Sequence, residues 1–358
     1  MTHVSTLPPA PEGTREPRDA HRIDEVALGG WLAANVPGFE GPLVVRKFKG
    51  GQSNPTYWLG TPRAEYVLRK KPPGKLLASA HAVEREHRVM TALARTTVPV
   101  PRTFGLCEDA SVIGTPFFVM EHLRGRIFWN VQLADVASPS ERRAIYEELV
   151  RVLAAIHAVD VDAVALTDYG KRGGYVARQV ERWSGQYRAS ATTTIGAMEA
   201  LLGYLPGHVP ARDETTLAHG DYRLDNLIFH PTEPRVLGVL DWELSTLGHP
   251  LSDLAYLCML YDVALPKVGG LLGVDFAATG IPTEREIVAR YEALSGRTVH
   301  AEDWAYFKAF GLFRLAAIAQ GVFKRSQDGN ASSDEAAMYG AAVAHLSEIA
   351  CSLLGLSP

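Results

Sequence analysis

The chain has 358 residues, enough for roughly two domains or two lobes. With 47% hydrophobic and 21% charged residues it is neither a disordered polymer nor a fibrous repeat. A net charge of −4 gives no electrostatic case for a nucleic-acid partner or an anionic membrane.

Cys107, Cys258 and Cys351 are odd in number and far apart, which suits neither a disulfide framework nor a cysteine-based zinc site and fits a reducing compartment. No apolar run reaches the roughly 20 residues that a spanning helix needs. The proline-rich segment 1–22 lacks the apolar core of a secretory signal and is expected to stay disordered. A cytoplasmic protein follows as the expectation.

From Val44 to Val119 the texture is mostly strand. Val44–Phe48 and Thr56–Leu59 flank the glycine turn Gly50-Gly51-Gln52-Ser53-Asn54 and read as a hairpin. Glu65–Lys70 is a third strand, stopped by Pro72-Pro73. A helix is predicted over Ser79–Arg95 and a further strand over Pro116–Glu121. On that helix Val83, Glu86, Met90 and Leu93 fall along one stripe. A carboxylate inside an apolar stripe needs a cation, and Arg69 on the third strand is the partner chosen. Lys70 points to the other face, and takes the role if the register is off by one.

From Ser140 the periodicity is helical. Ser140–Ala158 carries Ile145, Leu149, Val152 and Ile156 on one stripe. Helices are also predicted over Val176–Tyr187, Pro250–Tyr261, Glu284–Leu294, Asp303–Phe323 and Ser333–Leu354. One β insertion interrupts them: Leu217 to Glu243 reads LAHGDYRLDNLIFHPTEPRVLGVLDWE. Leu227–Phe229 and Val236–Leu240 form a hairpin there, with Asn226 just before its first strand and Asp241 just after its second. Those two residues should then lie about 5 Å apart. An amide oxygen and a carboxylate make a hard-oxygen site suited to Mg²⁺, with Asp221 placed as a base beside it. A polar turn with capping residues is the alternative from residue types alone.

The run His219-Gly220-Asp221-x-x-x-x-Asn226, followed by Leu240-Asp241-Trp242-Glu243, resembles the catalytic and metal-binding segments of the aminoglycoside phosphotransferase and choline kinase-like family. The resemblance implies an α+β, protein-kinase-like two-lobed fold: a small β-rich N-lobe with one helix over 23–123 and a mainly α C-lobe over 124–358. It implies ATP and Mg²⁺ as cofactors, Asp221 as the catalytic residue, and Asn226 and Asp241 as metal ligands. It places Gly51, Ser53, Asn54, Arg69 and Glu86 around the nucleotide, with the backbone of Glu121 and Leu123 on the adenine edge. His219 and Asp253 are read as holding the catalytic loop in shape, His157 as a packed helix residue, and Gly125 as the turn into the second lobe.

Between Asp241 and Asp253 there is no room for a protein-kinase activation segment, so a small-molecule hydroxyl is the expected acceptor. The segment from Asp303 to Arg325 mixes Trp304, Tyr306, Phe307, Phe310 and Phe313 with Lys308, Arg314, Lys324 and Arg325. That mixture suits an acid or acyl thioester better than a polycation; a core helix with a solvated cationic end is the alternative. The runs Val67–Gly74, Ser79–Glu86 and Gly114–Glu121 are similar to the kinase-like domain attached to some acyl-CoA dehydrogenase family proteins, which implies a hydroxy acid or hydroxyacyl-CoA acceptor. An aminoglycoside kinase and a nucleotide-binding pseudokinase or interaction module are the other readings. Oligomeric state and the choice between ATP and GTP are not set by the sequence.

Overall fold

A computed structural model of the chain describes residues 7–18, 22–49, 54–72, 82–264, 269–327 and 333–357. It divides into two compact units. The first holds residues up to Arg126 together with Ile228–Pro231 and Leu237–Glu243, and the second holds the rest.

The first unit contains β1 (Thr14–Arg15), α1 (Glu25–Asn35), β2 (Val44–Phe48), β3 (Thr56–Gly60), β4 (Glu65–Lys70), α2 (Val83–Leu93), β5 (Thr103–Cys107) and β6 (Phe117–Glu121). The strands form one antiparallel sheet in the order β1-β2-β3-β4-β6-β5. Alternation along the strands sorts the side chains. Tyr57, Leu59, Tyr66, Leu68, Phe117 and Val119 face one way and pack with Leu28 and Leu32 of α1. Arg69, one residue beyond Leu68, therefore faces the side covered by α2.

Two features depart from the expected N-terminal half. Thr14 and Arg15 lie in the segment expected to be disordered, yet they pair with Phe48 and Lys47, because β2 presents an open edge that a short strand can cover. Helix α1, capped by Asp24 accepting from the Val26 and Ala27 amides, was not among the predicted elements. Its central Gly29-Gly30 weakens the helical signal, and the apolar face of the sheet supplies what propensity does not.

The second unit is mainly helical. It contains α3 (Pro139–His157), α4 (Tyr175–Ser190), α5 (Gly196–Tyr204), β7 (Thr216–Ala218), part of the hairpin β8 (Leu227–Phe229) and β9 (Val236–Val239), β10 (Thr246–Gly248), α6 (Pro250–Cys258), α7 (Phe276–Thr279), α8 (Glu284–Ser295), α9 (Ala301–Arg325) and α10 (Ser333–Leu353). Sequence chemistry sets the helix ends. Ser138 caps α3 with Pro139 in its first turn, and Thr283 and Glu286 close a capping box on α8. β7 pairs with β10, which brings the segment after Ala218 beside the start of α6. α9 is flanked by α4, α6 and α10 and forms the centre of the unit.

Among the described residues no helix is long and apolar enough to cross a membrane, and all three cysteines are free and buried.

Leu68 is fully buried in the sheet core. Leu68→Ala should cost the first unit about 2–5 kcal/mol of stability in urea unfolding; a loss below about 1 kcal/mol would contradict the packing described.

Candidate active site

In the first unit the site is built around one arginine. Arg69 Nε lies 2.8 Å from Glu86 Oε2, and its Nη2 lies 2.6 Å from Asp241 Oδ1 and 3.6 Å from Glu243 Oε2. Arg69 is 8% exposed and Glu86 is 1% exposed. Val83, Met90 and Leu93 are buried on the same stripe of α2, as the helical spacing predicts. Glu84, two residues from Glu86, is only partly buried and pairs with Lys71. Lys70 points to the opposite face, where its Nζ sits 5.9 Å from the centre of the Tyr57 ring and burial lowers its pKa. Between the two cations considered, Arg69 is the one that meets Glu86.

Three carboxylates surround this one buried guanidinium, leaving two surplus negative charges if all ionise. Burial, with Asp241 and Glu243 adding to it against the pull of Arg69, pushes Glu86 up to about 7. Asn54, 1% exposed, donates from Nδ2 to Glu243 Oε2 at 3.3 Å, and its buried Oδ1 has no partner. Asp241 has φ +61°, a left-handed conformation that a non-glycine residue rarely adopts and that is held here by its surroundings. Among the described residues no three acidic, histidine or cysteine side chains form a ready metal centre. Magnesium, which commonly takes one or two carboxylates and fills its shell with water and phosphate oxygens, needs no such centre. The surplus charge and the orphaned Asn54 oxygen both fit a divalent cation.

Gly51 and Ser53 lie outside the described residues. The end of β6 leads into His122, whose Nδ1 lies 3.0 Å from Glu65 Oε2, and Arg124, whose Nε donates to the same oxygen at 2.8 Å. The Glu121 amide already donates to Arg102 O at 2.8 Å, so a ligand contact at Glu121 would use its carbonyl. At Gly125 the backbone approaches closely: a Cβ there would fall 2.2 Å from Phe229 O. The next residue, Arg126, exchanges both backbone bonds with Phe229 at 2.8 Å.

In the second unit, the segment after β7 carries His219, Gly220 and Asp221. Asp253 of α6 accepts from the His219 amide at 2.7 Å and the Gly220 amide at 2.9 Å. Burial would raise the Asp253 carboxyl, but the bond with His157 and the His219 and Gly220 contacts hold it below its ordinary value. His157 is buried and shared between Asp253 and the Tyr291 hydroxyl, so it packs and bonds internally. His219 Nδ1 accepts from the Asp221 amide at 3.2 Å, the loop-shaping role anticipated for it. Asn226 donates from Nδ2 to the Asp221 carbonyl at 2.9 Å and to its Oδ2 at 3.1 Å. Asp221 is also approached by Arg223 Nε at 3.5 Å and by the Tyr256 hydroxyl. The hairpin strands β8 and β9 pair as predicted, with Asn226 preceding one and Asp241 following the other.

Several of these groups were not singled out from sequence. Glu243 stood in the quoted segment without a role, and its two-residue spacing from Asp241 was the available signal. Tyr256 and Arg223 carried none. The cationic reading of α9 is corrected at Lys308, which is buried and held by Asp262 at 2.8 Å and Glu284 at 2.9 Å. Trp304 donates to Glu284 as well, so both residues tie α9 to its neighbours.

Residues 44–291 match the phosphotransferase enzyme family, and the chain belongs to that family. It is 48% identical over 340 residues to mouse acyl-CoA dehydrogenase family member 10, covering 94% of this chain and 32% of that protein. With human acyl-CoA dehydrogenase family member 11 it shares 42% identity over 335 residues, covering 92% of this chain and 43% of that protein. The chain thus spans less than half the length of these two curated relatives. A Ralstonia eutropha crystal structure, provisionally described as an aminoglycoside phosphotransferase, is 50% identical, covers 93% of this chain and 99% of its own, and superposes with a TM-score of 0.86. A thermostable mutant of the aminoglycoside phosphotransferase APH(4)-Ia, 16% identical, gives a TM-score of 0.60 over 91% of this chain and 98% of its own, a likeness of fold. The fold is the α+β, two-lobed, kinase-like one.

The Glu86 environment sets a pH dependence. A carboxyl raised from 4.5 to about 7 keeps its proton in the folded chain after the unfolded chain has lost it. Stability therefore falls as pH rises from about 4.5 to about 7, by roughly 3 kcal/mol in all, and levels off above. Urea unfolding between pH 5 and 8 in magnesium-free buffer should show this decline in wild type and a flatter profile in Glu86→Gln; parallel profiles would refute it.

Proposed function

We propose that the chain is an ATP- and Mg²⁺-dependent kinase that transfers the γ-phosphoryl group to a hydroxyl of a small molecule, a hydroxy acid or hydroxyacyl-CoA. The observation that carries this reading is Arg69, a strand-borne cation that meets both the helix-borne Glu86 and Asp241 of the Leu-Asp-Trp-Glu run. A sheet needs no such cluster for its stability, whereas phosphoryl transfer needs a fixed cation and metal-binding carboxylates.

Asp221 orients the acceptor hydroxyl and takes its proton. Asn226 fixes Asp221 through the bonds to its carbonyl and carboxylate, and the Arg223 guanidinium lies 3.5 Å from the same carboxylate. Asp241 and Asn226 are the proposed metal-binding donors, with Glu243 joining Asp241 through its shared contact with Arg69. Bound Mg²⁺ supplies neutralisation of charge on the phosphates. Gly51, Ser53 and Asn54 are proposed to cover the phosphates, and the Glu121 and Leu123 backbone to hold the adenine edge. Most of the catalysis is positioning.

The acceptor class is supported by the relatives' names, which belong to acyl-CoA chemistry, and by Arg223 beside Asp221, which suits an anionic or neutral acceptor better than a polycation. Three free thiols are in keeping with a cytoplasmic enzyme.

Turnover of Mg·ATP with a panel of hydroxy acids, hydroxyacyl-CoAs, choline-like alcohols and aminoglycosides tests the reading. Wild type should show acceptor-stimulated turnover with the first two classes, abolished by chelating Mg²⁺. Asp221→Asn should lower it about 10³-fold while nucleotide affinity stays within a few-fold. Tight nucleotide binding without transfer to any acceptor would contradict it, and stimulation by aminoglycosides alone would replace the acceptor class.

A further inference from the structure

Arg314 sits in the middle of α9 among Phe310, Phe313 and Ala317, and is 8% exposed. An apolar residue would be the ordinary choice there. Among the described residues it has no carboxylate partner. Its guanidinium lies 5.4 Å from the centre of the Trp183 ring and 5.1 Å from that of Tyr256, and its buried Nε is unbonded. A desolvated cation without an ion pair is costly, and stacking on two aromatic rings offsets only part of that cost. Its hydrogen bond to protein is from Nη2 to the Gly220 carbonyl at 2.5 Å.

That carbonyl belongs to the peptide unit joining Gly220 to Asp221. The other end of the same unit, the Asp221 amide, is held by His219 Nδ1. The preceding two amides are held by Asp253. Gly220 has φ +82°, and a Cβ there would fall 2.6 Å from Leu244 O, so the position calls for glycine. Tyr256, on which Arg314 stacks, offers its hydroxyl to the Asp221 carboxylate. Arg314 thus touches two of the groups around Asp221: the peptide that carries it and the Tyr256 ring beside its carboxylate.

We propose that Arg314 is a positioning residue for phosphoryl transfer, reaching from α9 to lock the Gly220–Asp221 peptide and the Tyr256 ring so that the Asp221 carboxylate is held in one orientation. The proposal rests on the reading of Asp221 as the catalytic residue. It differs from a plain structural role in what it leaves intact: turnover falls while the KM for ATP holds.

Arg314→Met and Arg314→Lys in the full chain test it, with ATP turnover on 3-hydroxybutyryl-CoA and 3-hydroxybutyrate as probes, and amide hydrogen exchange read peptide by peptide. Arg314→Met should lower kcat about 10²-fold, as misplacement of a reacting group by about 1 Å does, with the KM for ATP within about twofold. Arg314→Lys, which keeps a donor, should recover about tenfold of that loss. Exchange in the peptide spanning His219–Arg223 should speed at least about tenfold while that of α3 and β4 is unchanged. An unchanged kcat, a rise in the KM for ATP that accounts for the loss, or unchanged loop exchange would each overturn the proposal. If Arg314→Met does not fold, Arg314→Lys must show the same pattern in smaller measure. If wild type transfers to neither probe, the reading of the reaction fails on its own terms, and loop exchange alone decides whether Arg314 holds Asp221.

Discussion

A buried guanidinium among three carboxylates is the constraint on which the first unit turns. Arg69 joins β4 to α2 through Glu86 and to the far end of the hairpin through Asp241 and Glu243. Three parts of the chain distant in sequence meet at one cation. The arrangement is electrostatically unbalanced, and Glu86 answers by favouring its proton. Stability alone would favour apolar residues of similar volume. A cluster with surplus negative charge, an orphaned amide oxygen at Asn54 and a left-handed backbone at Asp241 is a common signature of a functional site.

The second unit solves a different problem, how to hold one carboxylate still on a short irregular loop. Its answer is to satisfy the loop's backbone from buried side chains. Asp253 takes two amides, His219 takes a third, and Arg314 takes a carbonyl. Asp253 stays ionised within the core because His157 and the His219 and Gly220 contacts offset its burial. The loop is thereby tied through its backbone to α6 and α9.

Much of this was legible in the chain. Glu86 declared itself because a carboxylate stood inside an apolar stripe, and the strict alternation of β4 then selected Arg69 over Lys70. The hairpin was legible from two apolar runs around Pro231-Thr232-Glu233-Pro234. What escaped notice has physical reasons. β7 and β10 are three residues each, too short for a period to register. Helix α1 hides behind Gly29-Gly30. β5 shows no alternation of burial, since four of its five residues are half-buried. Tyr256 lies on a helix whose apolar face looks ordinary, and Arg314, noted only as part of a cationic mixture, is brought to Gly220 by the tertiary structure alone. At Lys308 the sequence left an acceptor contact and a core helix both open, and the ion pairs with Asp262 and Glu284 favour the core helix there.

The central claim, that the Arg69 cluster carries a metal-nucleotide site, is tested most directly by titrating AMP-PNP into wild type and Asp241→Asn with and without Mg²⁺. The account predicts that Mg²⁺ tightens nucleotide binding to wild type by at least about tenfold, and that Asp241→Asn loses this gain while keeping its fold. Equal affinity with and without Mg²⁺ in wild type, or an undiminished gain in Asp241→Asn, would contradict it.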